Sequence, residues 1–228
     1  AYKAVDEHVK SNMTIGLGTG STVFYVLERI ETLMKSGKIK NIVCIPTSED
    51  TEIKAKNLGI PLTTLEKNSK LDIAIDGADE IDSDLNLVKG RGGALVREKL
   101  IAANTAFLII IADDSKLCTN GLGTTGAVPV EILSFGCNRI IHNLLKISTL
   151  KKCTFKIREK NGKTYVTDNK NYIVDLFFTG PIENLQETCD KIKMTTGVID
   201  HGIFINMTSL ALICKKDGTV LELKKKEK

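Results

Sequence analysis

Apolar residues along the first half of the chain recur in two rhythms that alternate. Val5 and Val9, with Ala4 beside them, give one side of a short helix over Tyr2 to Lys10. Met13 to Leu17 is a brief strand, and Gly16-Leu17-Gly18-Thr19-Gly20-Ser21-Thr22 a turn. Val23, Val26, Leu27, Ile30 and Leu33 then fall on one helical stripe, which Gly37 closes. Ile42 to Pro46 reads as a second strand, followed by a helical stretch carrying Ile53 and Leu58 that ends at Gly59. Leu71 to Ile75 is a third strand, stopping at Asp76. Gly90 to Gly93 form a turn that leads into a helix with Leu95, Val96, Leu100 and Ile101 for its buried side. Ala106 to Ile111 is apolar throughout. Strands apolar on both faces, alternating with helices, predict an open, mostly parallel, Rossmann-like α/β sheet with helices on both faces.

The rhythm then changes. Val128 to Leu133 reads as a strand, Asn138 to Leu145 as a helix, and Phe155 to Ile157 and Tyr165 to Phe178 as antiparallel strands around the turn Asn161-Gly162. Pro181 is placed at the start of a helix containing Ile182, Leu185 and Ile192, and Gly197 to Phe204 returns as a strand. The order β-α-β-β-α-β predicts a smaller α+β, ferredoxin-like domain over residues 128–201. Residues 1–127 and 202–228 would then form the larger domain, with the smaller one as an insertion serving as lid or in oligomerisation.

Composition narrows the class. The chain has 228 residues, 42% of them hydrophobic and 26% charged, which fits an ordinary globular protein and leaves room for two cores. The longest apolar run, Ala106 to Ala112, is strand-sized, so no membrane span is expected. The formal net charge of +4 comes largely from Lys215, Lys216, Lys224, Lys225, Lys226 and Lys228, read as a solvated edge strand and a frayed end. Without a basic stripe or interleaved aromatics, nucleic acid is not an expected partner. Six scattered cysteines, several such as Cys44 and Cys214 in apolar strand context, read as reduced buried thiols of a cytoplasmic protein. His8, His142 and His201 are not placed as obvious bases.

Ligands of open parallel sheets gather beyond the carboxyl ends of the strands, and the polar loops fall there. Thr19-Gly20-Ser21-Thr22 offers glycine-exposed N–H groups, two hydroxyls and a helix start, a combination suited to an anion such as phosphate; a bare turn with a helix cap is the competing reading. Gly16-x-Gly18-x-x-Ser21 lacks the third glycine of a dinucleotide fingerprint, and there is no GK[ST] of a P-loop. Asp76 and Asp79 are spaced to hold a metal, to hydrogen-bond sugar hydroxyls, or to cap the next segment, with Lys89 and Arg91 as nearby counter-charges and Glu80 as a solvated neighbour. Lys89-Gly90-Arg91-Gly92-Gly93 leads toward Glu98, although an Arg97-Glu98-Lys99 run reads by default as solvated surface. Asp113-Asp114-Ser115-Lys116 follows the apolar strand; Lys116 and Lys3 are candidate cations for a phosphate, each by default a surface charge.

The segments GLGTGST at 16–22, DGADEID at 76–82, KGRGGALVREK at 89–99 and DDSK at 113–116, in that order, with GVIDHGIF and GTV later, closely resemble ribose-5-phosphate isomerases of the A type. The resemblance runs from Lys3 to about Leu223. It implies an aldose–ketose isomerase of the pentose phosphate pathway that needs neither metal nor other cofactor and forms homodimers or homotetramers. It also implies Glu98 as the general base that moves a proton between C2 and C1, and Asp76 as the residue that opens the furanose ring. Asp79 and Lys89 would bind the sugar and steady its oxygens. Thr19, Gly20, Ser21 and Thr22 would hold the phosphate, assisted by Lys3 and Lys116, and the backbone of Gly92 and Gly93 would lie against the substrate. Arg91 stands where such chains usually carry a glycine.

These residue types suit the chemistry. Removing a C–H proton beside a carbonyl gives an enediolate, and one carboxylate can take the proton and return it to the neighbouring carbon. Lys89 and fixed backbone N–H groups can stabilise the oxyanion, and burial can raise a carboxylate pKa toward a useful value. Two other readings remain at this point: a non-catalytic phosphosugar-sensing module, and a nucleotide or coenzyme A enzyme on a related sheet.

Overall fold

The computed structural model describes residues 1–225; Lys226, Glu227 and Lys228, where the frayed end was expected, lie outside them. The chain divides into two compact units. The first comprises 1–78, 97–116 and the residues from Asn206 on; the second comprises 79–96 and 117–205.

The first unit is built on a six-stranded sheet in the order Val220–Lys224, Leu210–Cys214, Leu108–Asp113, Ile73–Asp76, Thr14–Leu17, Val43–Pro46. All neighbours are parallel except the antiparallel edge pair formed by Val220–Lys224 and Leu210–Cys214. Counting the parallel strands along the chain gives the order 2-1-3-4-5. Its switch point lies between the first strand, Thr14–Leu17, and the third, Ile73–Asp76. The Ser21–Lys35 helix seats Val23, Val26, Leu27, Ile30 and Leu33 in a core shared with Ile15, Leu17, Ile73, Ile75, Ile109 and Ile111. Gly16 lets a helix approach the sheet closely, since a Cβ there would stand 2.5 Å from Ile101 Cγ2. The lysine-bearing Val220–Lys224 segment is an edge strand, as expected from its charge.

The second unit contains the expected β-α-β-β-α-β order. Its four-stranded sheet runs Val198–His201, Val128–Ile132, Tyr172–Phe178, Cys153–Ile157, and every pairing is antiparallel. The helices Cys137–Leu144 and Leu185–Lys193 contribute Ile140, Leu144, Cys189 and Ile192 to its core. Asn161 and Gly162 both have positive φ, 55° and 72°, as a two-residue hairpin turn requires. Two expectations are corrected. Residues 165–171 form a loop rather than the start of a strand, and the last helix begins after Asn184 rather than at Pro181.

The division of the chain also differs from the expected one. Leu87–Val88 pairs on one side with Glu80–Ile81 and on the other with Ile203–Phe204 in a separate three-stranded sheet, which draws 79–96 into the second unit. The segment read as one strand from Gly197 to Phe204 is two strands in two sheets, broken at Gly202. Gly202 donates its N–H to Pro129 O and accepts the Lys89 N–H, both at 2.7 Å, and a Cβ there would overlap Lys89 O. Cys44, Cys118 and Cys189 are buried and none of the six cysteines forms a disulfide, whereas Cys214 is exposed, contrary to its apolar context. Burial pushes the Cys44 thiol up to about 12. Among the described residues no helix is long and apolar enough to cross a membrane.

Substituting Gly202→Ala is expected to lower unfolding stability by about 1–3 kcal/mol, because the added methyl meets backbone and proline ring rather than a flexible side chain. Urea unfolding checks this; an unchanged midpoint would mean that the crossing does not depend on glycine.

Candidate active site

In the first unit, the loops after Thr14–Leu17 and Ile73–Asp76 meet at the switch point. Asp76 Oδ1 accepts the N–H of Thr19 at 3.2 Å and of Gly77 at 2.7 Å. A Cβ on Gly18 would overlap the Asp76 carboxylate, so glycine at 18 is what lets the acid lie against this backbone. Gly20 has φ 120° and ψ 177°, a conformation essentially reserved to glycine, and is the N-cap of the Ser21–Lys35 helix. Ser21 and Thr22 are its first residues, both exposed, and no side chain caps it, contrary to the capping role considered for them. The free-facing helix start keeps the anion-binding character read from the sequence.

Thr47, Ser48 and Thr51, which the sequence reading passed over, fix this loop. Thr19 Oγ1 donates its one proton to Ser48 Oγ at 2.8 Å, so its 2.8 Å contact with Thr47 Oγ1 must be donated by Thr47. Ser48 Oγ donates to Thr51 Oγ1, and Thr51 Oγ1 to Gly18 O. The hydroxyls thus form a one-way relay that ends on the glycine loop. Thr19 is thereby a holder of the loop, its hydroxyl proton and N–H both engaged within the protein. The available signal was Ser48 as a helix N-cap directly after a strand.

Lys3 Nζ lies 2.8 Å from Glu222 on the edge strand Val220–Lys224. Lys116 ends the short 3-10 turn Asp114–Lys116 after Leu108–Asp113, the strand next to Ile73–Asp76.

Glu98 lies in the first turns of the Leu95–Ala103 helix and is only 5% exposed. The stripe Leu95, Glu98, Ile101, Ala102 is the buried one, while Leu100, expected inside, is half exposed. The default reading of Glu98 as solvated surface is therefore overturned. Its 3.6-period place among apolar residues was the signal.

The second unit carries Asp79, Lys89 and the glycine turn. Asp79 Oδ2 accepts the Arg91 N–H at 2.9 Å. Lys89 is buried, with its ammonium 5.7 Å from the centre of the Phe204 ring. Glu80, expected to be solvated, is fully buried. It accepts the Arg91 guanidinium at 2.6 Å, the Thr125 hydroxyl at 2.6 Å and the N–H groups of Thr125 and Gly123. Arg91 also donates to Ala127 O, which accounts for its side chain: it ties the turn to residues 123–127. Burial alone would push the Glu80 carboxyl up; the donors from Thr125, Gly123 and Arg91 outweigh it and hold the group below its usual range. Among the described residues no cluster of three or more His, Cys, Asp or Glu is arranged to hold a metal ion.

A 2-1-3-4-5 parallel sheet with a glycine loop and a carboxylate at its switch point defines a doubly wound α/β protein. The family model "Ribose 5-phosphate isomerase A (phosphoriboisomerase A)" matches residues 43–218. The ribose-5-phosphate isomerase of Plasmodium falciparum (isolate 3D7) is 74% identical over 226 residues, covering 99% of this chain and 96% of that one. A solved ribose 5-phosphate isomerase from Plasmodium falciparum superimposes with a TM-score of 0.97 at 73% identity, over 99% of this chain and 96% of that one. A further solved D-ribose-5-phosphate isomerase, in complex with phospho-erythronic acid, gives a TM-score of 0.90 at 33% identity, over 98% and 95% of the two chains. The chain belongs to the ribose 5-phosphate isomerase A family.

Because the folded Glu80 carboxyl titrates below its unfolded value, its contribution is present above about pH 4.3 and lost as pH falls through the lower folded value. Glu80→Gln is expected to cost about 2–3 kcal/mol at pH 7, a gap that narrows in acid. Denaturant unfolding from pH 7 to 3 measures it, and a pH-independent gap would contradict the assignment.

Proposed function

We propose that Glu98 is the general base with which this chain interconverts D-ribose 5-phosphate and D-ribulose 5-phosphate. The observation that carries this reading is a carboxylate held in the apolar stripe of a helix, 5% exposed, five residues after the glycine turn. A carboxylate held in place before the substrate arrives can accept a carbon-bound proton without first having to be oriented. Glu98 takes the proton from one of the first two sugar carbons and returns it to the other, through an enediolate. Asp76 handles the hydroxyl proton in ring opening. Its Oδ1 is oriented by the Thr19 and Gly77 N–H groups, which fixes the carboxylate before substrate arrives. Asp79 and Lys89 hold the sugar oxygens, and the Lys89 ammonium balances the charge that grows on them.

The helix start at Gly20, Ser21 and Thr22 takes the phosphate, with Lys116 contributing charge. The phosphate does not react; holding it orients the reacting carbons. Lys3, paired at the surface with Glu222, is the further cation read from the sequence. The reaction needs no metal ion, the assembly is a homodimer or homotetramer, and six cysteines without a disulfide suit a cytoplasmic setting.

Glu98→Gln is expected to lower kcat by at least about a thousandfold while phospho-erythronic acid still binds, measured by titration calorimetry. Turnover of the variant at the wild-type rate would remove Glu98 as the base. Excess EDTA is expected to leave the wild-type rate unchanged; a loss restored by a divalent cation would refute metal independence. Gly18→Ala, whose methyl displaces the Asp76 carboxylate, is expected to reduce kcat about tenfold to a hundredfold with KM little changed. An unaltered kcat would show that the position of Asp76 does not matter.

A further inference from the structure

Arg158 and Asp175 were not singled out by any motif, yet they grip the glycine turn. Gly93 N–H donates to Gly90 O at 2.9 Å, so residues 90–93 form a hydrogen-bonded turn with Arg91 and Gly92 at its centre. Arg158 Nη1 donates to two carbonyls of that turn, Gly90 O at 3.0 Å and Arg91 O at 2.9 Å. The other edge of the guanidinium is paired with Asp175, Nε to Oδ2 at 2.9 Å and Nη2 to Oδ1. Both side chains are nearly buried, 13% and 12% exposed, and the Tyr165 ring lies 5.9 Å from the guanidinium carbon. A Cβ on Gly93 would overlap the Tyr165 hydroxyl, so the ring also packs on the turn.

Peptide planarity turns this grip into a direction. Among the described residues no peptide bond is cis, and in a trans peptide the C=O and the following N–H point to opposite sides. Holding Gly90 C=O and Arg91 C=O toward Arg158 therefore turns the N–H groups of Arg91 and Gly92 away from it. The first of these is seen to do so, since Arg91 N–H donates to Asp79. The Gly93 N–H is engaged inside the turn. Of the two glycine N–H groups, that of Gly92 is the one directed outward.

We propose that Arg158, locked by Asp175, is a positioning residue of the isomerase: it fixes the turn so that Gly92 N–H faces the Asp79 side and donates to the sugar oxygen that becomes negative in the enediolate. The proposal rests on the reading of the Lys89–Gly93 segment given above. Lysine cannot replace arginine here, because one ammonium cannot bridge two carbonyls while presenting a paired edge to a carboxylate.

The test uses the full chain with Arg158→Lys, Asp175→Asn and Arg158→Ala, the last assayed with and without guanidinium chloride at low millimolar concentration. The folded fraction is read by circular dichroism in each assay buffer. Expected are a kcat lowered about tenfold to a hundredfold per folded molecule in Arg158→Lys, a KM within about threefold of wild type, and partial recovery of Arg158→Ala by guanidinium. A smaller loss in Asp175→Asn is expected, since the guanidinium keeps its carbonyl contacts. A kcat within about twofold of wild type in Arg158→Lys overturns the proposal, and so does a loss no larger than the fall in folded fraction. Glu98→Gln assayed alongside separates the two readings. If Glu98→Gln is inactive while Arg158→Lys is unimpaired, only the positioning role fails; if Glu98→Gln is fully active, the reading of the site itself fails.

Discussion

A fully buried carboxylate must be surrounded by donors, and that necessity organises the second unit. Glu80 has no exposure to water, so its charge is tolerated only because Arg91, Thr125 and Gly123 converge on it. Each donor belongs to a different stretch of chain from Glu80 itself. The arginine comes from the glycine turn, and the other two come from the segment that leads into the ferredoxin-like sheet. Satisfying one acid therefore fixes the places of both. Arg91 in turn presents its N–H to Asp79, one residue before Glu80, closing a ring of interactions around the candidate sugar-binding acid.

The same logic of directed donors recurs in the first unit with neutral groups. Thr47, Thr19, Ser48 and Thr51 each have one hydroxyl proton, and the chain of donation ends on a carbonyl of the glycine loop. Such a chain has a single sense, so the loop has one preferred arrangement rather than several of similar energy. Asp76 adds a charged anchor to the next N–H. Preorganisation of this kind suits a reaction with no bound cofactor in its proposed path, where fixed dipoles must supply what a metal would otherwise contribute.

Much of this was legible in the sequence because it is written in local periodicity. The apolar strands, the Val23 to Leu33 stripe and the Asn161-Gly162 hairpin report short-range preferences that tertiary structure did not overrule. Gly16, Gly18, Gly20, Gly90 and Gly93 mark backbone that a side chain does not fit, and they located the loops. What escaped notice is long-range. Glu80 looks like any acid beside other acids until residues 123–127 fold over it, and Arg158 lies 67 and 68 positions from the carbonyls it holds. Glu98 sits between two cations in the chain and reads as surface; its burial follows from helical phase, which the choice of Leu100 as an inward residue had misjudged. The Lys3–Glu222 pair escaped notice for the same reason, since nothing local to Lys3 announces that partner. The boundaries of the small domain were misplaced because a single apolar run, 197–204, serves two sheets.

That shared run bears on how such a chain can change over time. The main chain passes between the two units at 78/79, 96/97, 116/117 and 205/206, and Gly202 bonds both to Pro129 of the ferredoxin-like sheet and to Lys89. An ordinary inserted domain has two seams and can be exchanged as a cassette. Here a transplant would have to carry four seams and the segment bearing a candidate active-site lysine, so drift in the smaller sheet is constrained by the residue it helps to hold.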